Sequence, residues 1–130
     1  MNTLKVNISK IEQAGSLRLV TFSRADLKLT MLSLELSETL QVGTQVNIGV
    51  KATHIALSKS VQENSISNQL QATILSIEMG TLLCRVSLLL DGETWESVLT
   101  LEAAKEMQLV VGDTLFVLIN ASALSIIGAR

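Results

Sequence analysis

The feature that most constrains this chain is an internal repeat. Laying residue 2 on residue 68 aligns Asn2 to Glu12 with Asn68 to Glu78 without a gap, and Asn2/Asn68, Leu4/Leu70, Ile8/Ile74, Ile11/Ile77 and Glu12/Glu78 are identical pairs. Later in each half the spacing is 69 rather than 66: Leu40-Gln41-Val42-Gly43 falls on Leu109-Val110-Val111-Gly112, and Lys51-Ala52-Thr53 falls on Asn120-Ala121-Ser122. Tandem copies of one supersecondary unit bury a shared core, so the chain is expected to divide into residues 1–60 and 61–130. The change in spacing puts extra residues in the second half. Insertions are tolerated best in exposed turns, which points to the hairpin around Asp91-Gly92.

Each copy has the same order of patterns. Alternating or continuous β-type runs at Leu4 to Ile11, Leu17 to Phe22 and Leu27 to Leu32 are matched by Leu70 to Ile77, Leu82 to Leu90 and Thr94 to Leu99. In the second copy Thr100 is an N-cap, Glu102 lies in the first turn, and Ala103-Ala104-Lys105-Glu106 forms a helix body that stops before Gly112. The first copy offers Leu32 to Leu40 as the equivalent helix, stopped by Gly43. Gly15, Gly80 and Gly92 stand where hairpins must turn, and the chain has no Pro to interrupt pairing. The pattern predicts an all-β fold with short helices, built as two tandem OB-like five-stranded β-barrels.

Length and composition narrow the function. With 130 residues there is room for one ordinary domain or two very small ones. The chain is 48% hydrophobic but only 2% aromatic, so Leu, Ile, Val and Ala must make the core, and the aromatic platform used by single-strand nucleic-acid binders is lacking. Lys and Arg number 10 against 12 Asp and Glu, which also argues against a nucleic-acid partner. No apolar run approaches the roughly 20 residues of a membrane helix. Met1 to Asn7 alternates like a strand instead of forming a secretory signal, and Cys84 has no partner. Both observations fit a reducing cytoplasm, where Asn7-Ile8-Ser9 and Asn120-Ala121-Ser122 are chance glycosylation triplets. Leu88-Leu89-Leu90, Leu115 to Ile119 and Ser125-Ile126-Ile127 are apolar on both faces of a strand, so a second surface is expected to be covered by homo-oligomerisation.

Catalytic patterns are lacking: there is no Gly-rich phosphate loop, nucleophile elbow or paired Cys/His cluster, and the reading is of a protein that is not an enzyme. His54 stands without Cys, His or carboxylate neighbours at metal-ligand spacing. Cys84 reads as a buried inert thiol and Trp95 as a packing anchor.

The stretch Ser65-Ile66-Ser67-Asn68-Gln69-Leu70-Gln71-Ala72, with Ile77-Glu78 closing the strand, resembles the Ser-Ala-Arg-Asn-Gln-Leu-Lys-Gly opening of the Mop domain family. Met107 to Gly112 is similar to that family's Leu-Gly-Leu-x-x-Gly helix exit, and Val50-Lys51-Ala52-Thr53 and Ile119-Asn120-Ala121-Ser122 resemble its closing Ile-Lys-Ala-Ser strand. Over nearly the whole chain the resemblance is to tandem Mop (TOBE-type) domains of the di-Mop molbindin kind, also found in molybdate-responsive regulators and importer ATPases.

That resemblance implies cytoplasmic binding of molybdate or tungstate, for storage, homeostasis or sensing, at sites between domains or subunits. It implies anion-binding positions at Lys51, Ala52, Thr53, Ser65, Ser67, Asn68, Asn120, Ala121 and Ser122. A tetrahedral dianion brings its own oxygen shell, so hydroxyls, amides and a few cations suit it better than metal-type ligands. Among the positions that differ from the family, Ser67 replaces its Arg, Asn120 its Lys, and Ala72 and Val6 its Gly, leaving Lys51 as the motif cation. The alternative implied by those replacements is a Mop-fold dimerisation module without anion sites, partnering a transporter ATPase or regulator.

Overall fold

The alternating runs become strands of a computed structural model that describes all residues except Glu35, Ser37, Gln62 and Arg130. The first repeat supplies β1 (Asn2–Ala14), β2 (Leu17–Arg24), β3 (Leu27–Ser33), β4 (Gln45–Val50) and β5 (Ala56–Ser58). The second supplies β6 (Asn68–Met79), β7 (Leu83–Leu90), β8 (Glu93–Thr100), α1 (Leu101–Met107), β9 (Thr114–Ile119) and β10 (Ser125–Ala129). A 3₁₀ turn, Ala52–His54 or Ala121–Ala123, precedes the last strand of each.

Two antiparallel five-stranded sheets result, ordered β10-β4-β1-β2-β3 and β5-β9-β6-β7-β8. The fold is therefore all-β with short helices, as the periodicity predicts. The two repeats exchange their last strands: β5 pairs with β9 through Ala56↔Leu118, and β10 pairs with β4 through Ser125↔Gly49. At Gly49 an added Cβ would meet Met1 Sδ at 2.8 Å and Ile127 Cγ2 at 3.0 Å, so the incoming strand closes over β4 where a side chain is missing.

Repeat equivalence extends to irregularities. β1 bulges between Ile8 and Lys10, and β6 between Ile74 and Ser76, which bends each long strand across its sheet at the same place. Beyond each bulge a glycine N–H closes the turn, Gly43 onto the Ile8 carbonyl at 2.7 Å and Gly112 onto that of Ile74 at 2.8 Å. Both glycines have positive φ, 94° and 93°, where a Cβ would be strained.

The expected insertion site is corrected. Hairpins β2–β3 and β7–β8 turn over the same number of residues, Ala25-Asp26 and Asp91-Gly92, so the extra residues lie between β8 and β9. They amount to nearly one helical turn and complete α1, whose N-cap Thr100 accepts from Ala103 N–H at 3.1 Å. The first repeat, shorter there, continues β3 to Ser33 and has no helix among its described residues before β4. Glu35 and Ser37 of the expected Leu32 to Leu40 helix lie outside the described residues.

The apolar faces meet in one core. Leu4, Val6, Ile8, Phe22, Ile48 and Val50 of the first repeat join Leu70, Ile74, Val86, Leu88, Leu115 and Ile119 of the second. Each such side chain contributes about 1.5–3 kcal/mol by leaving water. Trp95 is buried, and its indole Nε1–H donates to the Thr3 carbonyl of the other repeat at 2.9 Å.

Candidate functional site

The 3₁₀ turns arise where β4 and β9 end and the chain must cross to the other sheet. They are built alike: His54 N–H donates to the Lys51 carbonyl and Ala123 N–H to the Asn120 carbonyl, each at 2.9 Å. The Ala52–His54 turn packs on β8 and the Ala121–Ala123 turn on β3, so each leans on the opposite repeat. Ser97 Oγ donates to the Ile55 carbonyl at 2.7 Å and anchors the first turn from β8.

Between them lies an open cavity of about 540 Å³, lined by Thr53, His54, Ile55 and Ala56 from the first repeat and Val98, Leu99, Asn120, Ser122 and Ala123 from the second. Thr53 and Ser122 are equivalent positions of the repeat, and both face this one space. The lining therefore combines two hydroxyls, a carboxamide and an imidazole with an apolar floor, and includes no carboxylate. Such a surface offers hydrogen-bond donors and no fixed negative charge, which suits an oxyanion.

Of the positions implied by the sequence, Thr53, Asn120 and Ser122 come together here. Lys51 is exposed at the N-cap of its turn and is not part of the lining. Ala52 is half-buried and Ala121 buried, packing within their turns. Ser65 and Ser67 are exposed in the loop before β6, where the Ile66 N–H donates to Asn64 Oδ1 at 2.8 Å. The pairing Asn68↔Ile119 nevertheless brings the end of this loop beside Asn120, just as Asn2↔Val50 brings the amino terminus beside Lys51.

Asn68 is buried in structural work. Its Oδ1 accepts from Thr30 N–H at 2.7 Å and its Nδ2 donates to the Thr30 carbonyl at 2.9 Å, a pair of bonds across the repeats. Asn2 makes the equivalent pair with Glu96, at 2.7 and 2.8 Å. The identity of Asn2 and Asn68, noted first as a repeat marker, is thus explained by β-edge recognition in both directions.

His54 was not among the positions implied by the family motif, yet it lines the cavity. Its signal in the sequence is its place directly after Thr53 in the repeated segment, where the second copy has Ala123. Among the described residues no three His, Cys, Asp or Glu side chains cluster as a metal site. Cys84 is fully buried in β7, and burial pushes its thiol pKa up. No helix among the described residues is long and apolar enough to cross a membrane.

Comparison with known proteins agrees with this architecture. Curated protein sequences give no match to the chain. A solved structure of the cytoplasmic molybdate-binding protein ModG, with molybdate bound, superposes with a TM-score of 0.91 at 27% identity, over 99% of this chain and 96% of that one. Residues 64–126 match the TOBE domain family. The chain is thus similar in fold to ModG along its whole length, and to the TOBE domain through most of its second repeat.

Proposed function

We propose that this chain is a cytoplasmic, non-catalytic molybdate-binding protein of the tandem Mop type, with repeats at residues 1–60 and 61–130, that holds molybdate or tungstate for storage, homeostasis or sensing. The observation that carries the reading is the full-length likeness to a molybdate-bound protein, joined to a donor-lined cavity free of carboxylates where the two repeats meet. Thr53, Asn120 and Ser122 supply donors from both repeats, and Lys51, Ala52, Ala121, Ser65, Ser67 and Asn68 lie on the flanking turns and strand ends. A second copy of the chain completes further sites. Leu75, Met79, Leu83 and Leu89 on the second sheet, with Leu82 in the turn before β7, expose apolar surface, which supports homo-oligomerisation.

A specific observation favours a second reading, an assembly module without anion sites that docks on a molybdate transporter or regulator chain. The cation Lys51 lies outside the cavity lining, and the equivalent position in the other repeat is the neutral Asn120. Isothermal titration with molybdate, tungstate and sulfate, at low salt and neutral pH, separates the two. Heat with the first two anions and none with sulfate supports the binding reading, and no heat with any of them supports the assembly module.

A further inference from the structure

A dianion taken out of water without a matching cation is held at high energetic cost, and the family's cations are absent from this cavity. Ser67 and Asn120 are neutral, and Lys51 is not in the lining. The one titratable side chain among the lining residues is His54. It belongs to one repeat alone, since the equivalent position is Ala123, so the cavity is chemically one-sided although its walls are repeats of each other.

The backbone that carries this exposed imidazole is anchored on both sides. His54 N–H is tied to the Lys51 carbonyl at 2.9 Å, and the next residue, Ile55, is buried and gripped by Ser97 Oγ at 2.7 Å. The charged groups on the elements around it are Lys51 on its own turn, Lys59 beyond β5, and Glu93 and Glu96 on β8, on which the turn packs. Each of these carboxylates has a cation within 3.6 Å, Arg24 for Glu93 and Arg85 for Glu96, and neither lines the cavity. A negative charge entering the cavity is thus the natural partner for a proton on His54.

We propose that His54 is an anion-binding residue of this cavity and that its imidazolium supplies the positive charge the motif positions lack. The inference rests on the oxyanion reading above and adds to it a residue and a proton linkage. Histidine is the side chain that gains charge near neutral pH. Where the free protein has a neutral imidazole, binding a dianion takes up a proton, so affinity falls as pH rises.

The test is titration of the purified protein with molybdate at about pH 6 and pH 8.5, in two non-anionic buffers of different ionisation heat, for the wild type, His54→Gln and His54→Lys. The expected result is an affinity about tenfold higher at the lower pH for the wild type, the scale of one charge-assisted hydrogen bond, with proton uptake seen as a buffer-dependent heat. In His54→Gln the two affinities agree within about twofold and the buffer dependence disappears. In His54→Lys, affinity stays high at both pH values. Molybdate binding that is independent of pH in the wild type, or a pH dependence that survives in His54→Gln, overturns the role of His54 and leaves the oxyanion reading standing. Absence of binding at both pH values overturns the oxyanion reading and this inference together. Equal thermal unfolding temperatures of the three ligand-free proteins show that the exposed substitution leaves the fold intact.

Discussion

Asn68 reaches out of its own repeat and closes both hydrogen bonds of its carboxamide on the backbone of Thr30, the N–H donating at 2.7 Å and the carbonyl accepting at 2.9 Å. The carboxamide mimics a neighbouring strand at the edge of the first sheet, and Asn2 does the same for Glu96 at the edge of the second. The backbone groups of Thr30 and Glu96 are thereby closed to pairing with another chain. Two side chains thus tie the start of β1 to β8 and the start of β6 to β3, across the junction of the repeats.

Replacing Asn68 with Ala leaves the Thr30 N–H and carbonyl unpaired at a part-buried junction, an expected loss of about 1–3 kcal/mol in unfolding free energy. Asn2→Ala should lose a similar amount through Glu96. Chemical denaturation of both single variants and the double variant measures this. A change below a few tenths of a kcal/mol in either single variant would contradict the clasp.

Strand exchange makes a second expectation. Residues 1–60 alone keep β1 to β4 but lack β10 at the free edge of β4, and residues 61–130 lack β5 at the edge of β9. Each fragment should be unstable or self-associated when alone, and a mixture of the two should recover a cooperative unfolding transition. Cooperative, monomeric folding of either fragment would show that its last strand is dispensable.

How much of this was legible in the sequence follows from what each signal depends on. The alternation of Leu4, Val6 and Ile8, or of Leu70, Ala72 and Ile74, is local, and the observed strands contain the expected runs. Thr100 and Glu102 mark α1 for the same reason. The exchange of β5 and β10 was not legible, because a short alternating segment specifies which face it buries and not which sheet it joins. The inserted residues were misplaced because two equal two-residue turns look no different in sequence from one that has grown. The partner of Asn68 was not legible, because an amide in a strand states its polarity and conceals what it bonds, here Thr30, 38 residues away.

Trp95 offers a probe of the junction. It is the single Trp of the chain, buried in β8 and bonded to Thr3 of the other repeat at 2.9 Å. Its emission should be blue-shifted in the folded protein and move to the red in the same transition that circular dichroism follows, because separating the repeats exposes the ring. An emission maximum typical of exposed indole in the native state would contradict this packing.

Burial raises the Cys84 thiol pKa, so the folded state holds that proton more tightly than the unfolded chain does. The stabilising contribution is complete below the ordinary thiol range near about 8.5 and diminishes as pH rises above it, since the unfolded chain ionises first. Denaturation midpoints should therefore decline from pH 7.5 to 9.5 more in the wild type than in Cys84→Ala. A thiol reagent should label Cys84 only after unfolding, and rapid labelling of the native protein would contradict its burial.

The cavity residues and Lys51 make separable contributions. Thr53→Val keeps the shape of a side chain that lines the cavity and removes its hydroxyl, and Asn120→Ala removes the amide from the opposite repeat. Each should weaken molybdate binding by about 1 kcal/mol, several-fold in affinity, with little change in stability because both residues are exposed. Lys51 is exposed one residue before the 3₁₀ turn and outside the lining, so on the proposed reading its ammonium serves a separate site completed by another copy of the chain. Lys51→Ala is then expected to reduce the number of anions bound per oligomer, or to weaken one class of site by more than about 1 kcal/mol, while leaving the cavity class unchanged. Titration of the three variants, read as stoichiometry and affinity together, checks this. Equal loss in all three would place Lys51 in the same site as Thr53, and no loss in Lys51→Ala would remove it from anion binding.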